Sequence, residues 1–223
     1  MTDLEQLRGF YLRTIDHHEN LFDTWERGDA RGDSVTPSTY SAEYRRWMTE
    51  LLLGNLRARP GGVISVGSGN ATIESAITRA GHRVIAVDVI PEAVELARRK
   101  GVEAVLADVR DWSPPQDAWT LVYADGVMGH LYTPGEAGHV PVLERMRSWL
   151  APRRGVLVIS NDRPHGLADV QPAPGVPGFY WLSEDFLRKQ AEAAGFQDLS
   201  STTFVYQRPL SGARVRAVLT ARA

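Results

Sequence analysis

The chain has 223 residues, with 27 acidic against 25 basic side chains, 43% hydrophobic residues and no cysteine. At a prior of about 150 residues per domain this is one well-filled domain or one domain with a cap, and an apolar fraction this high beside a net charge of −2 excludes disorder as the main state. The missing cysteine excludes a disulfide framework, a thiolate metal site and a cysteine nucleophile, while basic residues that are almost all arginine and form no dense block give no electrostatic reason to expect a nucleic-acid partner. Apolar runs such as residues 156–159 are far too short for a bilayer span. The N-terminal MTDLEQLRGF is acidic and polar where a secretory leader is basic and then apolar, so no membrane association and a cytoplasmic setting are expected.

Two helical patterns occupy residues 1–59 and predict a helical cap. Leu4, Leu7, Tyr11 and Ile15 form the first; Tyr44, Trp47, Met48, Leu51 and Leu52 form the second at the spacing of one helix face, with the turn-rich GDARGDSVTPS between them. The adjacent His17 and His18 face different ways on such a helix, and no shared ligand role is expected of them. From residue 61 short apolar runs alternate with helical stretches. The runs Val63–Val66, Arg83–Val87, Glu103–Ala107, Trp119–Tyr123 and Val156–Ser160 predict strands covered on both faces.

Between them, Ile73, Ala76, Ile77 and Ala80 make one helical stripe closed by Gly81, and Pro91 opens another that Gly101 stops. Leu143, Met146 and Leu150 mark a third helix, and Leu187, Ala191 and Ala194 a fourth, opened by Ser183 and closed by Gly195. Residues 164–181 read as an insertion whose loop 164–178, ending in the PAPGVPG stretch, is able to act as a lid. Thr202–Tyr206 and Arg214–Thr220 are joined by RPLSGA with no helix between, as in a hairpin. The expected fold is α/β: a doubly wound, mostly parallel seven-stranded sheet over residues 60–223, with right-handed crossovers and an antiparallel C-terminal hairpin.

Open parallel sheets bind ligands beyond the carboxyl ends of their strands. After the first predicted strand comes Gly67-Ser68-Gly69-Asn70-Ala71, where glycines permit a tight turn and exposed amides favour electron-rich groups. After the second comes Asp88, 21 residues beyond Gly67, placed to accept both hydroxyl protons of a ribose. After the third comes Asp108-Val109, an acid for an adenine amino group beside an apolar cover. Each alone has a plain alternative, a tight turn or a helix-capping aspartate; the three in succession are far more specific.

These segments resemble the class I S-adenosylmethionine-dependent methyltransferases of small-molecule type. VISVGSGNA is similar to the family's glycine-rich motif, AVDVIPEAVELARRKG to its ribose-binding segment, VLADVRDW to its adenine-binding segment and WTLVYADGVMGHL to its fourth-strand segment, so the resemblance covers roughly residues 61–223. It implies a Rossmann-like fold, S-adenosylmethionine as cofactor, and a cofactor site of Ser65, Gly67, Ser68, Gly69, Asp88, Val89, Asp108, Val109 and Asp125. The chain departs from the family at Ser65, where an acid is frequent, at Ala71, where a third glycine is usual, and at Thr120, where an aspartate is usual.

A dinucleotide oxidoreductase shares the glycine loop and Asp88, but Thr72 stands where the last small residue of G-x-G-x-x-G belongs, and no Tyr-x-x-x-Lys pair is present. A non-catalytic nucleoside-binding module of the same fold ranks between the two. For methyl transfer, His130 is the first candidate for a general base and Asp162 the next, from a set that also holds Asp125, Asn161 and His165, with Asp125 assigned to the cofactor pocket by its place directly after the strand. His130 has the alternative of packing and capping its helix. Asp125, Asn161 and Asp162 could offer oxygens to magnesium, but the strand-five order is the reverse of the catechol-type pattern and no metal is expected. Trp25, Tyr40 and Tyr44 of the cap and Phe179, Tyr180 and Trp181 of the insertion are expected to wall the acceptor pocket. The expected partner is a small-molecule methyl acceptor, a metabolite or natural product methylated on nitrogen or oxygen; oligomeric state is left open, a homodimer included.

Overall fold

Nine strands arise where the apolar runs predict them and at one further place. They are β1 (Val63–Val66), β2 (Val84–Asp88), β3 (Glu103–Leu106), β4 (Leu121–Asp125), β5 (Val156–Asp162), β6 (Val170–Pro172), β7 (Tyr180–Leu182), β8 (Gln197–Arg208) and β9 (Gly212–Arg222). The computed structural model describes residues 3–14, 19–32, 36–115, 119–134, 138–176 and 178–223; Ile15, His17 and His18 lie outside the described residues. Seven strands form one sheet in the order β3–β2–β1–β4–β5–β9–β8, with β9 alone running opposite to the other six. The order reverses between β1 and β4, which opens a crevice beyond their carboxyl ends.

Helices α1 (Asp3–Leu12), α2 (Leu21–Glu26), α3 (Ala42–Ala58), α4 (Thr72–Arg79), α5 (Pro91–Arg99), α6 (Met128–Leu131), α7 (Val140–Trp149) and α8 (Glu184–Ala193) surround the sheet. Alternation along each strand divides the apolar residues between two faces. Ile64, Val66, Val122 and Leu157 meet Leu143 and Met146 of α7 and Leu187 of α8. Val63, Leu121, Tyr123 and Val158 meet Met48 and Leu52 of α3, Ile77 of α4 and Val94 of α5. Each of these large side chains is worth about 2–5 kcal/mol on truncation to alanine. Helix α3, counted with the cap by its position before residue 60, is therefore a layer of the sheet. The cap proper is α1 and α2, where Leu21, Phe22 and Trp25 pack on Ile90, Ala93 and Leu96 at the start of α5. A capping box between Asn20 and Asp23 starts α2, and Ser41 and Ser183 cap α3 and α8 through their hydroxyls.

Three differences from the sequence reading bear on the site. The insertion carries a small hairpin, Val170↔Leu182 to Pro172↔Tyr180, where a loop is expected, because three-residue strands leave too short a pattern to register. Trp119 makes only an isolated bridge to Leu150, so β4 begins two residues later than expected and ends on Asp125. Strand β5 likewise runs through Asn161 and Asp162, which places these groups inside the sheet edge and not on a loop after it.

Candidate functional site

The chain leaves β1 through Gly67 (φ +70°) and Gly69 (φ +53°) and enters α4 through Ala71, which adopts φ +50°. A β-carbon on Gly67 would lie 2.8 Å from the Val127 side chain, so only glycine lets β1 and the segment after β4 approach this closely. The loop borders a cleft of about 1640 Å³, open to solvent, that also reaches Asp88, Val89, Asp108, Val109 and Asp125. Asp88, at the end of β2, accepts the amides of Ile90 at 3.0 Å and Gly69 at 3.3 Å. Burial pushes its carboxyl up to about 6 against the pull of these amides. Asp108 is held below its ordinary range by hydrogen bonds from Arg110.

Ser65 stands apart from this set. It is buried beneath the loop, outside the cleft wall, and its hydroxyl donates to Glu74 Oε1 at 2.6 Å. The structure does not bring it to the cleft with the other expected cofactor residues. Glu74, in the first turn of α4, is itself buried, and its carboxyl is pushed up to about 7 by burial, eased by the Ser65 bond. Glu74, like Ser65, lines neither this cleft nor the smaller cavity beside it. The sequence signal was an acid set against the apolar stripe of Ile73 and Ile77.

A second, much smaller cavity, of about 40 Å³ within about 450 Å³ that includes open solvent at its mouth, adjoins the first, and the two share Tyr11, Trp25, Thr36, Gly126 and His130. His130, on α6, packs against Phe179 with ring centroids 4.6 Å apart and lies 3.0 Å from the Tyr11 hydroxyl through Nε2. Burial lowers its pKa to about 4, despite a hydrogen bond with the Gly178 backbone, so the ring is neutral at pH 7. Gly126 sits at φ +75° on the shared wall, and a β-carbon there would meet Thr36 Oγ1 at 2.4 Å.

Behind this wall lies a buried ionic cluster. Arg216 of β9 joins Asp125 and donates from Nη1 to Asp162 Oδ1 at 2.9 Å, while Arg208 of β8 pairs with Asp162. Tyr206 donates to Asp162 Oδ2 at 2.7 Å, and Tyr44 and Tyr123 donate to Asp125 at 3.3 and 3.1 Å. Asp162 lines the second cavity, but its oxygens are committed to three donors, which suits a counter-charge better than the base the sequence suggested. Arg216 supplies the positive charge between the two carboxylates. Among the described residues no group of three or more His, Cys, Asp or Glu gathers as a metal site would require, and no helix is long and apolar enough to cross a membrane.

Of the expected acceptor walls, Trp25, Phe179 and Trp181 line the second cavity and Tyr180 the first. Tyr40 and Tyr44 line neither. Tyr44 lies on the face of α3 turned to the sheet and ends on Asp125 and Ser160; Tyr40 donates to the Gln207 carbonyl at 2.6 Å. Arg208, Arg216, Tyr11 and Glu74 were not picked out from the sequence. Arginines at alternate positions of a strand flanked by apolar residues were the available sign of the cluster.

The cleft suits a nucleoside. Ser68 lines it, with a buried hydroxyl that has no hydrogen-bond partner among the described residues, and Asp88 lines it 9% exposed. A family model described as "Methyltransferase domain" matches residues 38–201. A tabtoxin biosynthesis enzyme of Pseudomonas amygdali pv. tabaci is 38% identical over 224 residues, covering 98% of this chain and 88% of that protein. The structure of 1,6-didemethyltoxoflavin-N1-methyltransferase from Burkholderia thailandensis, with bound 1,6-didemethyltoxoflavin and S-adenosylhomocysteine, has a TM-score of 0.64 at 23% identity over 90% of this chain and 84% of that one. N-methyltransferase NodS from Bradyrhizobium japonicum WM9, in complex with S-adenosylhomocysteine, has a TM-score of 0.63 at 18% identity, covering 92% and 98%. The [4+2]-cyclase SpnF reaches 0.69 at 15% identity, covering 100% and 97%. With the family model spanning most of its length, on the fold those structures share, the chain belongs to the class I S-adenosylmethionine-dependent methyltransferase family.

Proposed function

We propose that the protein methylates a nitrogen or oxygen of a small-molecule metabolite or natural-product intermediate, and that it does so in the cytoplasm. The observation that carries this reading is the pair of adjoining cavities with a neutral histidine in their common wall. The kinship with an enzyme of tabtoxin biosynthesis supports a natural-product setting.

S-adenosylmethionine, when bound, supplies an electrophilic methyl group on a sulfonium centre. Gly67, Ser68 and Gly69 would hold it through backbone amides and the Ser68 hydroxyl, Asp88 by the ribose hydroxyls, and Val89, Asp108 and Val109 around the adenine. Asp125 closes the cleft beside Gly126. The cap and the insertion position the acceptor through Trp25 and Phe179, exclude water, and so supply proximity and orientation, the main requirement with so good a leaving group. For an oxygen acceptor, His130 takes up the proton, with the Tyr11 hydroxyl at its Nε2 placed to pass it on; a neutral amine needs no base. Asp162 serves by fixing Arg208 and Arg216.

Calorimetric titration with S-adenosylmethionine, S-adenosylhomocysteine and NAD tests the assignment. Binding of both sulfur nucleosides with NAD silent is the expected result, followed by release of S-adenosylhomocysteine in an acceptor screen. Binding of NAD alone would turn the assignment to hydride transfer. Tight nucleoside binding with no methyl transfer to any acceptor would favour a binding module or another reaction on the fold, as the cyclase neighbour illustrates.

A further inference from the structure

We propose that the second cavity takes a compact molecule with a flat or apolar body that presents an oxygen lone pair, from a carboxylate or a carbonyl, to the indole N–H of Trp181, with Trp25 at the end to be methylated. The inference rests on the methyltransferase reading for one point only, that the cavity beside the cofactor cleft is the acceptor's.

Trp25 and Trp181 are each 4% exposed, both line the cavity, and the Nε1 of each has no hydrogen-bond partner among the described residues. An indole nitrogen can only donate, and a donor buried without a partner is costly enough that one is expected to find an acceptor. Trp149 Nε1 is also unpartnered, but that ring is packed in the core against Trp112 and borders neither cavity.

The rest of the polar wall points the same way. Arg208 and Arg216 can only donate. The carboxylate of Asp162 already accepts from Arg216, Arg208 and Tyr206. Tyr11 and His130 are bonded to each other. Apart from the Thr36 hydroxyl, the polar side chains of this wall are donors or are already bonded, which favours an oxygen-bearing ligand over an ammonium-bearing one. The guanidinium carbons of Arg208 and Arg214 lie 5.5 and 3.9 Å from the Trp181 ring centroid, which makes the potential at that end positive. Trp25 stands in the wall shared with the cofactor cleft, whereas Trp181 borders the acceptor cavity alone. The recognised oxygen therefore belongs at the Trp181 end, and the group to be methylated at the Trp25 and His130 end. Phe10, Val176 and Phe179 provide the apolar sides.

The probes are benzoate, benzamide and benzylamine, titrated into protein saturated with S-adenosylhomocysteine, for the natural chain and for Trp181→Phe, which keeps a ring and removes the N–H. Benzoate is expected to bind, benzylamine not to, and Trp181→Phe to weaken benzoate about tenfold while leaving S-adenosylhomocysteine affinity unchanged. Benzoate well above benzamide identifies a carboxylate; equal affinities identify a carbonyl oxygen. Benzylamine binding as well as benzoate, undiminished benzoate binding by Trp181→Phe, or no binding of any probe to protein that holds S-adenosylhomocysteine would each overturn the proposal. Failure of S-adenosylhomocysteine itself to bind the natural chain would remove the methyltransferase reading, and this inference with it.

Discussion

The two ends of the sheet's carboxyl edge are built on different plans. On the β3–β2–β1 side the cleft is made from residues at or just beyond the ends of their strands: a glycine loop, Asp88, held by the amides of Ile90 and Gly69, and Asp108, held by Arg110. On the β5–β9–β8 side the wall is made from side chains within strands, Asp125, Asp162, Arg208 and Arg216, covered by aromatic residues from the cap and the insertion. A ligand read mostly by backbone can be served by local chain, and that design tolerates sequence change around it. A ligand read by side chains from four distant segments depends on all of them at once. The first side is therefore expected to fail by losing affinity, the second by losing fold or turnover.

Arg216 offers the strongest way to break that contrast. It is 1% exposed and holds Asp125 and Asp162 together. Arg216→Met would leave the buried Asp125 without a cationic partner and Asp162 with Arg208 alone, and urea unfolding should show a loss of about 3–5 kcal/mol. A loss below about 1 kcal/mol would mean the cluster is not what holds the acceptor side, and the comparison would fail at its base.

His130 comes next, on the shared wall. His130→Ala should lower turnover of an oxygen acceptor by about 100-fold, the low end for a general base, because burial leaves the imidazole weakly basic. The affinity for S-adenosylhomocysteine should change little. In the natural chain, turnover at saturating cofactor should stay level from pH 8 to about 5 and fall below that as the ring protonates. Equal turnover in the variant would return His130 to packing against Phe179.

The cofactor side is probed at Asp88. Asp88→Asn keeps one acceptor oxygen for the Ile90 and Gly69 amides but removes the charge, and should weaken S-adenosylhomocysteine about 30-fold with the fold intact. Acid should imitate the variant. The carboxyl titrates near 6 in the folded chain against an ordinary 3.8, and only its ionised form can accept two ribose protons, so affinity should fall about tenfold between pH 7 and pH 5. Its effect on stability has the opposite sign: the folded chain holds a proton that the unfolded chain has lost between pH 3.8 and about 6, so this group's contribution declines as pH rises through that window. A pH-independent affinity would show that Asp88 does not meet the ribose.

The same contrast governs what could be read from the chain beforehand. Strand β1, the glycine loop, Asp88 and Asp108 were legible because each lies next to the element that places it. The long β8–β9 pair was recognised as a hairpin from its turn, though its length was not, since exposed positions along β8 dilute the pattern. Arg216 was not legible: its place beside Asp125 depends on β9 inserting between β5 and β8, a pairing across 91 residues of sequence. Tyr11 met His130 across 119 residues for the same reason. Glu74 was hidden differently, since a glutamate in a first helical turn ordinarily caps and this one turns inward to Ser65.

The smallest effect sharpens the boundary of the acceptor side. Tyr40 and Trp25 both belong to the N-terminal segment and both suggest an aromatic wall by composition, yet only Trp25 borders the cavity. The Tyr40 hydroxyl is spent on the Gln207 carbonyl, tying the segment before α3 to the end of β8. Removing one exposed hydrogen bond of this kind costs about 0.5 kcal/mol, so Tyr40→Phe should lower the melting temperature by no more than about 2 °C and leave the acceptor KM unchanged. Trp25→Phe, by contrast, alters the wall itself and should raise the acceptor KM. If Tyr40→Phe raised that KM as much as Trp25→Phe does, the acceptor would extend beyond the cavity toward β8, and the acceptor side would be larger than the two adjoining cavities imply.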